Sequence, residues 1–113
     1  MSSILTSTKK KLGIAEEYKH FDSDIIAHIN SVFMDLQQLG VGPEDGFVIS
    51  DDSSTWEDFV PEEDKRFSAI PTYVYLKVKL LFDIQSMSSA HIEAANRQID
   101  RLEWRLNVAA ETF

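Results

Sequence analysis

The chain has 113 residues, 43% of them hydrophobic and 27% charged, with 19 acids against 11 bases and no cysteine. That composition describes one globular domain with a modest core, and the missing cysteines exclude disulfides and thiolate metal sites. Lys77 and Lys79 interrupt the most hydrophobic stretch, so no run approaches the roughly 18 to 20 apolar residues of a membrane span. In SSILTSTKKKLG the lysines follow the apolar patch, the reverse of a secretory signal, so a cytosolic address is expected.

The net charge of −8 is unevenly placed. Residues 41–66 hold nine acids (Glu44, Asp45, Asp51, Asp52, Glu57, Asp58, Glu62, Glu63 and Asp64) and two bases (Lys65 and Arg66), a net −7 that leaves −1 for the rest. An acidic domain is a poor duplex binder, because that grip rests on neutralising phosphates with Lys and Arg.

In chain order, residues 2–13 read as a short helix opening at Ser2 or Ser3, with Ile4, Leu5 and Leu12 on one face and Gly13 past the end. After Asp22 or Ser23 as N-cap, Ile25, Ile29, Val32, Leu36 and Leu39 recur at alternating four- and three-residue steps. They draw the core stripe of a helix closed by Gly40. Gly42-Pro43 and Asp45-Gly46 then flank Phe47-Val48-Ile49, a candidate strand of a hairpin, before the Asp51-Asp52-Ser53-Ser54 turn. This irregular region also carries Trp56, Phe59 and Phe67, aromatics that either pin the loop to the core or meet a partner. Phe47, Trp56 and Phe59 are its candidate contacts.

TYVYLKVKLLFD, following Pro71, fits two patterns. Val74, Leu76, Val78 and Leu80 alternate as in a strand, whereas Val74, Val78, Leu81 and Phe82 suit a helix face; composition favours strand and the proline favours helix. The last segment is plainer. After Ser88 or Ser89, Ile92, Ala95, Ile99, Leu102, Leu106 and Ala109 form a heptad-like seam, too short for a free coiled coil and suited to bundle packing. Trp104, Val108, Arg97, Arg101 and Arg105 lie off that seam. An outward tryptophan beside a basic stripe is a second contact surface, on another helix of the same subunit, which is slightly favoured, or on a neighbouring chain.

Chemistry is scarce. The chain holds no Gly-rich phosphate loop, nucleophile elbow or HExxH pair, and no Ser, His and acid at a triad-like spacing, so neither catalytic residues nor a cofactor are expected. Glu16, His20, Asp24 and His28 follow at four-residue steps and would line up as metal ligands on one unbroken helix. A helix start at Phe21-Asp22-Ser23 breaks that stripe, which favours polar surface and leaves a metal-dependent hydrolase as a distant alternative. His91 is expected to be exposed.

Taken in order, GPEDGFVI, TWEDF, IPTYVYLKVKLLFD and HIEAANRQIDRLEWRLNVAAE resemble the head-tail connector (adaptor, or head-completion) proteins of tailed bacteriophages and prophages, over about residues 4–110. The most specific parts are LLFD at Leu80–Asp83 and LEWRLN at Leu102–Asn107. Ile84-Gln85 departs from the proline often found just after FD in that family. The resemblance implies an all-α domain, a small helical bundle with a mobile acidic loop or hairpin between the second and third long helices, and it makes TYVYLKVKLLFD a helix. It further implies a non-catalytic virion protein, assembled in the host cytoplasm into a ring of about twelve subunits beneath the portal. That ring would join portal protein to the next connector or tail-completion protein, with the C-terminal region toward the portal. The acidic loop would face the channel or the next ring, and DNA would pass without specific binding along an acidic wall that repels phosphates. The alternative from composition alone is an acidic inhibitor or DNA mimic.

Overall fold

The computed structural model describes residues 3–60 and 65–111. Ser2, Glu62, Glu63 and Asp64 lie outside them. Five α-helices, α1 (Ile4–Lys11), α2 (Asp22–Gln38), α3 (Trp56–Phe59), α4 (Ile70–Phe82) and α5 (Ser89–Glu111), are joined by irregular chain and two 3₁₀ turns, Lys65–Phe67 and Ile84–Ser86. No strand forms among the described residues; an isolated bridge links Ser3 and Thr55.

Each helix starts and stops for a local reason. The Ser3 hydroxyl accepts the Thr6 N–H and caps α1, and Lys9, Lys10 and Lys11 face the negative end of its dipole. In α2, neither Asp22 nor Ser23 is the cap expected from sequence. Phe21 holds that position without a side-chain hydrogen bond, and Asp22 with Asp24 occupies the first turn, where carboxylates suit the dipole. The chain leaves α2 through Gly40 at φ +83°, a left-handed conformation that glycine adopts without strain.

The ambiguous segment is helical. Ile70, Tyr73, Val74 and Val78 are buried at helical spacing, Pro71 stands in the first turn where its missing N–H is harmless, and this outweighs the β-branched composition. The residues after FD fold as the 3₁₀ turn Ile84–Ser86, and the Ser88 hydroxyl then accepts the His91 N–H at the start of α5.

Helix α4 is central, packed against α1, α2 and α5. Ile25, Ile29, Val32 and Leu36 of α2 meet Val74 and Val78 in a core that Ile99, Leu102 and Leu106 of α5 close from the other side.

The loop after α2 is not a hairpin. The Asn30 side-chain amide donates to the Ile49 carbonyl (3.0 Å) and its oxygen accepts the Ile49 N–H (2.8 Å), so one side chain takes both groups that a partner strand would use. The Phe47, Phe59 and Phe33 rings pack at 4.6–5.2 Å between centroids, and Ile49 and Phe59 are buried. Gly42, at φ +94°, lies against the Phe59 ring where a Cβ would collide with it. Farther on, Ile4 N–H donates to the Ser54 carbonyl (2.9 Å) and Trp56 Nε1–H to the Ser7 hydroxyl (2.9 Å), which ties the loop to α1. The described loop is therefore held along α2 and α1.

Lys9 fixes the connection between α1 and α2. It is 2% exposed, and its ammonium donates to the carbonyls of Glu16 (3.0 Å) and Tyr18 (2.7 Å). Asp22 Oδ1 stands 2.8 Å away as a charge partner without hydrogen-bond alignment. A buried cation is tolerated only when so surrounded. Lys9→Met should lower unfolding stability by roughly 3 kcal/mol, because two carbonyls and one carboxylate lose their partner together. Urea denaturation of the two proteins checks this.

Candidate assembly surface

The site is one face of α5, and its aim is set by contacts on the adjoining face. Tyr73 is completely buried beneath α5, with its hydroxyl donating to Glu103 Oε2 (2.7 Å). Lys77 Nζ lies 2.8 Å from Asp35 Oδ2 of α2, 3.5 Å from Glu103 Oε2, and 5.5 Å from the Tyr73 ring centroid. Asn107 Nδ2 donates to the Leu39 carbonyl (3.2 Å) one turn further on. Glu103 and Asn107 are four residues apart on one side of the helix, so these contacts index its rotation.

With the rotation fixed, helical geometry places the rest. Ala95, Ile99, Leu102 and Leu106 face the core. At about 100° per residue, Arg97, Arg101, Trp104 and Val108 fall on the opposite side, and Arg105 on the flank away from Glu103. All five are exposed, Trp104 to 69% of its surface. Among the described residues no helix covers the tryptophan, which runs against the slight preference for intramolecular use. Among the described residues none of the three guanidinium groups has an ion-pair partner within 4.0 Å. The acids of α5 stand to one side of this stripe, with Glu103 turned toward α4.

The loop aromatics are placed differently. Phe59 is buried, Phe47 packs between Phe33 and Phe59, and Trp56 is half-buried over Ser7, so these side chains fasten the loop. Phe67 is likewise packed against the core. Five of the loop acids are outward, whereas Glu57 is half-buried with Oε1 out of reach of solvent. Glu44, Asp45, Asp51, Asp52 and Asp58 are exposed, and the Asp58 carboxylate caps α3 by accepting the Thr55 N–H (2.9 Å). At Asp51, hydrogen bonds from the Ser53 hydroxyl and then the Ser53 N–H hold the carboxyl below its ordinary pKa.

Glu16 and His20 precede α2, so they do not line up with Asp24 and His28 on a common helix face. Among the described residues, no three His, Cys, Asp or Glu side chains come together as a metal-binding group. His91 is exposed. Sequence patterns did not reveal Tyr73, Lys77 and Glu103 as an indexing set. Their one legible sign was the position of Glu103 beside an outward tryptophan.

The described residues thus form a helical domain whose most exposed aromatic sits on a helix face bearing three arginines. The chain belongs to the phage connector protein family, whose model matches residues 4–112. It is accordingly a structural virion protein that works with other head and tail proteins. No curated protein and no solved structure matches the chain. None of the helices among the described residues is long and apolar enough to cross a membrane.

Burial first, then the hydrogen bond to Glu103 and the charges of Glu103 and Asp35, raise the pKa of Tyr73 far above that of an ordinary phenol. A raised folded-state pKa contributes stability that is complete below the unfolded value, about 10, and is lost as pH rises beyond it. Tyr73→Phe should therefore be about 1 kcal/mol less stable than the native chain at pH 7. That gap should narrow above a pH of about 10, where only the native chain carries the penalty of ionising Tyr73. Urea melts at neutral and alkaline pH test both halves.

Proposed function

We propose that the chain forms a closed ring beneath the portal vertex of the filled head, extending the DNA channel and presenting a docking surface to the next connector or tail-completion protein. The observation that carries this reading is the outer face of α5. An exposed Trp104 flanked by Arg97, Arg101 and Arg105 has no use inside the subunit, and it stands on a chain whose remaining charge is strongly negative.

A ring built from one kind of subunit requires two different patches that meet head to tail. The α5 stripe supplies the basic and aromatic patch. The outward acids of the loop on α2 and α1 supply its complement, with the loop aromatics serving to fasten that patch. The C-terminal part of α5 is the segment assigned to the portal. About twelve copies at −8 would make an acidic collar whose wall repels phosphates, so DNA slides through without a specific contact. Assembly takes place in the host cytoplasm, and the finished ring resides in the virion.

The acidic-inhibitor reading rests only on the charge of residues 41–66; it predicts a monomer that binds basic enzymes.

Arg101→Glu places a like charge opposite the acidic patch. It should weaken self-association at least tenfold at low ionic strength, with the deficit shrinking at 0.5 M salt as screening removes the repulsion. Sedimentation velocity at the two salt concentrations measures it. Unchanged association would remove the stripe from the interface.

A further inference from the structure

The face of α2 that carries the loop holds a feature not used by the fold. Met34 projects away from the core stripe of its own helix and is 63% exposed, and Val48 beside it is 71% exposed, the highest value of any large hydrophobic side chain among the described residues. Between them lies a hollow of about 240 Å³, floored by Phe47 and Gly46 and rimmed by Gln37 and Asp45. Gln37 Nε2 donates to the Glu44 carbonyl (3.0 Å), which holds the backbone beside the rim, where Asp45 lines the hollow and Glu44, next to it in the chain, is exposed. The floor is stiff, because Phe47 is wedged against Phe33 and Phe59 and Ile49 is held by Asn30.

Trp104 and this hollow cannot meet within one chain. Each lies opposite the core-facing stripe of its own helix, Trp104 on α5 and Met34 on α2, and those helices meet through α4 and, at their C-terminal ends, through the Asn107–Leu39 hydrogen bond. An exposed knob on one side and an apolar hollow on another, on the same molecule, is the arrangement that produces head-to-tail contacts; a ring results when the rotation closes. The rims match as well. Arg101 and Arg105 lie beside Trp104, and Asp45 lines the hollow with the exposed Glu44 next to it in the chain, so the charges near the apolar centre are of opposite sign.

We propose that Trp104 of one subunit seats in the Met34–Phe47–Val48 hollow of its neighbour, with Arg101 and Arg105 set against Glu44 and Asp45. The occupant is a second copy of this chain, so the proposal rests on the ring reading and specifies its interface. It gives the loop between α2 and α3 a second purpose, since the fastened backbone from Gly42 to Ile49 forms the wall of a socket. It also assigns Met34, an exposed methionine on an otherwise ordinary helix, a reason to be apolar: a thioether side chain adapts to an inserted indole ring.

The lack of native cysteine makes the test direct. Arg101→Cys and Asp45→Cys in the same chain leave Trp104, Met34 and Val48 in place and put one thiol beside each half of the contact. Oxidation should give a covalent ladder of dimers, trimers and higher species, whereas a mixture of the two single variants should give dimers that join one to the other and stop there. Native mass spectra of the unoxidised double variant are recorded alongside. If they show rings and oxidation gives no ladder, the socket is wrong and the ring stands; if the native chain and the double variant both stay monomeric at every concentration, with the portal ring present as well as absent, again without a ladder, both are wrong. As a second probe, Trp104→Ala should reduce self-association at least tenfold while leaving the thermal midpoint unchanged, and intact association would overturn the seating of Trp104.

Discussion

The orientation of α5 depends on what lies beneath Glu103. Tyr73 is entirely buried and cannot reach water, so its hydroxyl must find an acceptor inside the protein, and Glu103 is that acceptor. Lys77 then sits where it balances Glu103 from α5 and Asp35 from α2 at once. Because Asp35 is 42% exposed and Glu103 a third exposed, these ion pairs add little stability by themselves. Their effect is geometric. Adjacent helical residues differ by about 100° in direction, so holding Glu103 against α4 turns Trp104 and Arg105 outward.

The same economy appears at the other side of the molecule. Lys9 takes up the carbonyls of an irregular connector, and Asn30 takes up both backbone groups of Ile49. Single polar side chains thereby do the work that a sheet would do elsewhere, which is how an irregular stretch of this length stays attached to a small helical core. A loop fastened at its aromatics, with Glu44, Asp45 and Asp52 exposed, is a preorganised surface. Little ordering is left for a binding step to supply.

Much of this was legible in the sequence, and particular residues explain where legibility ended. The stripe from Ile25 to Leu36 and the seam from Ala95 to Leu106 were plain because each repeats over several turns and each is buried on one side only. The cap at Ser3 and the exit at Gly40 are local features that need no tertiary knowledge. Residues 70–82 resisted because α4 is covered by helices on several sides, so its pattern of apolar residues lacks a clean polar face and reads equally as a strand. Phe47-Val48-Ile49 misled for another reason: β-branched and aromatic residues describe a pleated surface, and nothing local announces that Asn30, far back in the sequence, will take both backbone groups of Ile49. Lys9 was invisible in the same sense, since its acceptors are carbonyls whose positions depend on the path of the connector. The candidate stripe itself was readable as a spacing, but the exposure of Trp104 was not, because that depends on where α5 lies.

The claim on which the rest turns is that identical chains close head to tail. Native mass spectrometry over a concentration series that reaches the micromolar range and above, with and without the portal ring, addresses it directly. A closed species near about twelve copies, with few open intermediates, is the expected result. A monomer at every concentration, in the presence of portal as well as in its absence, would contradict it.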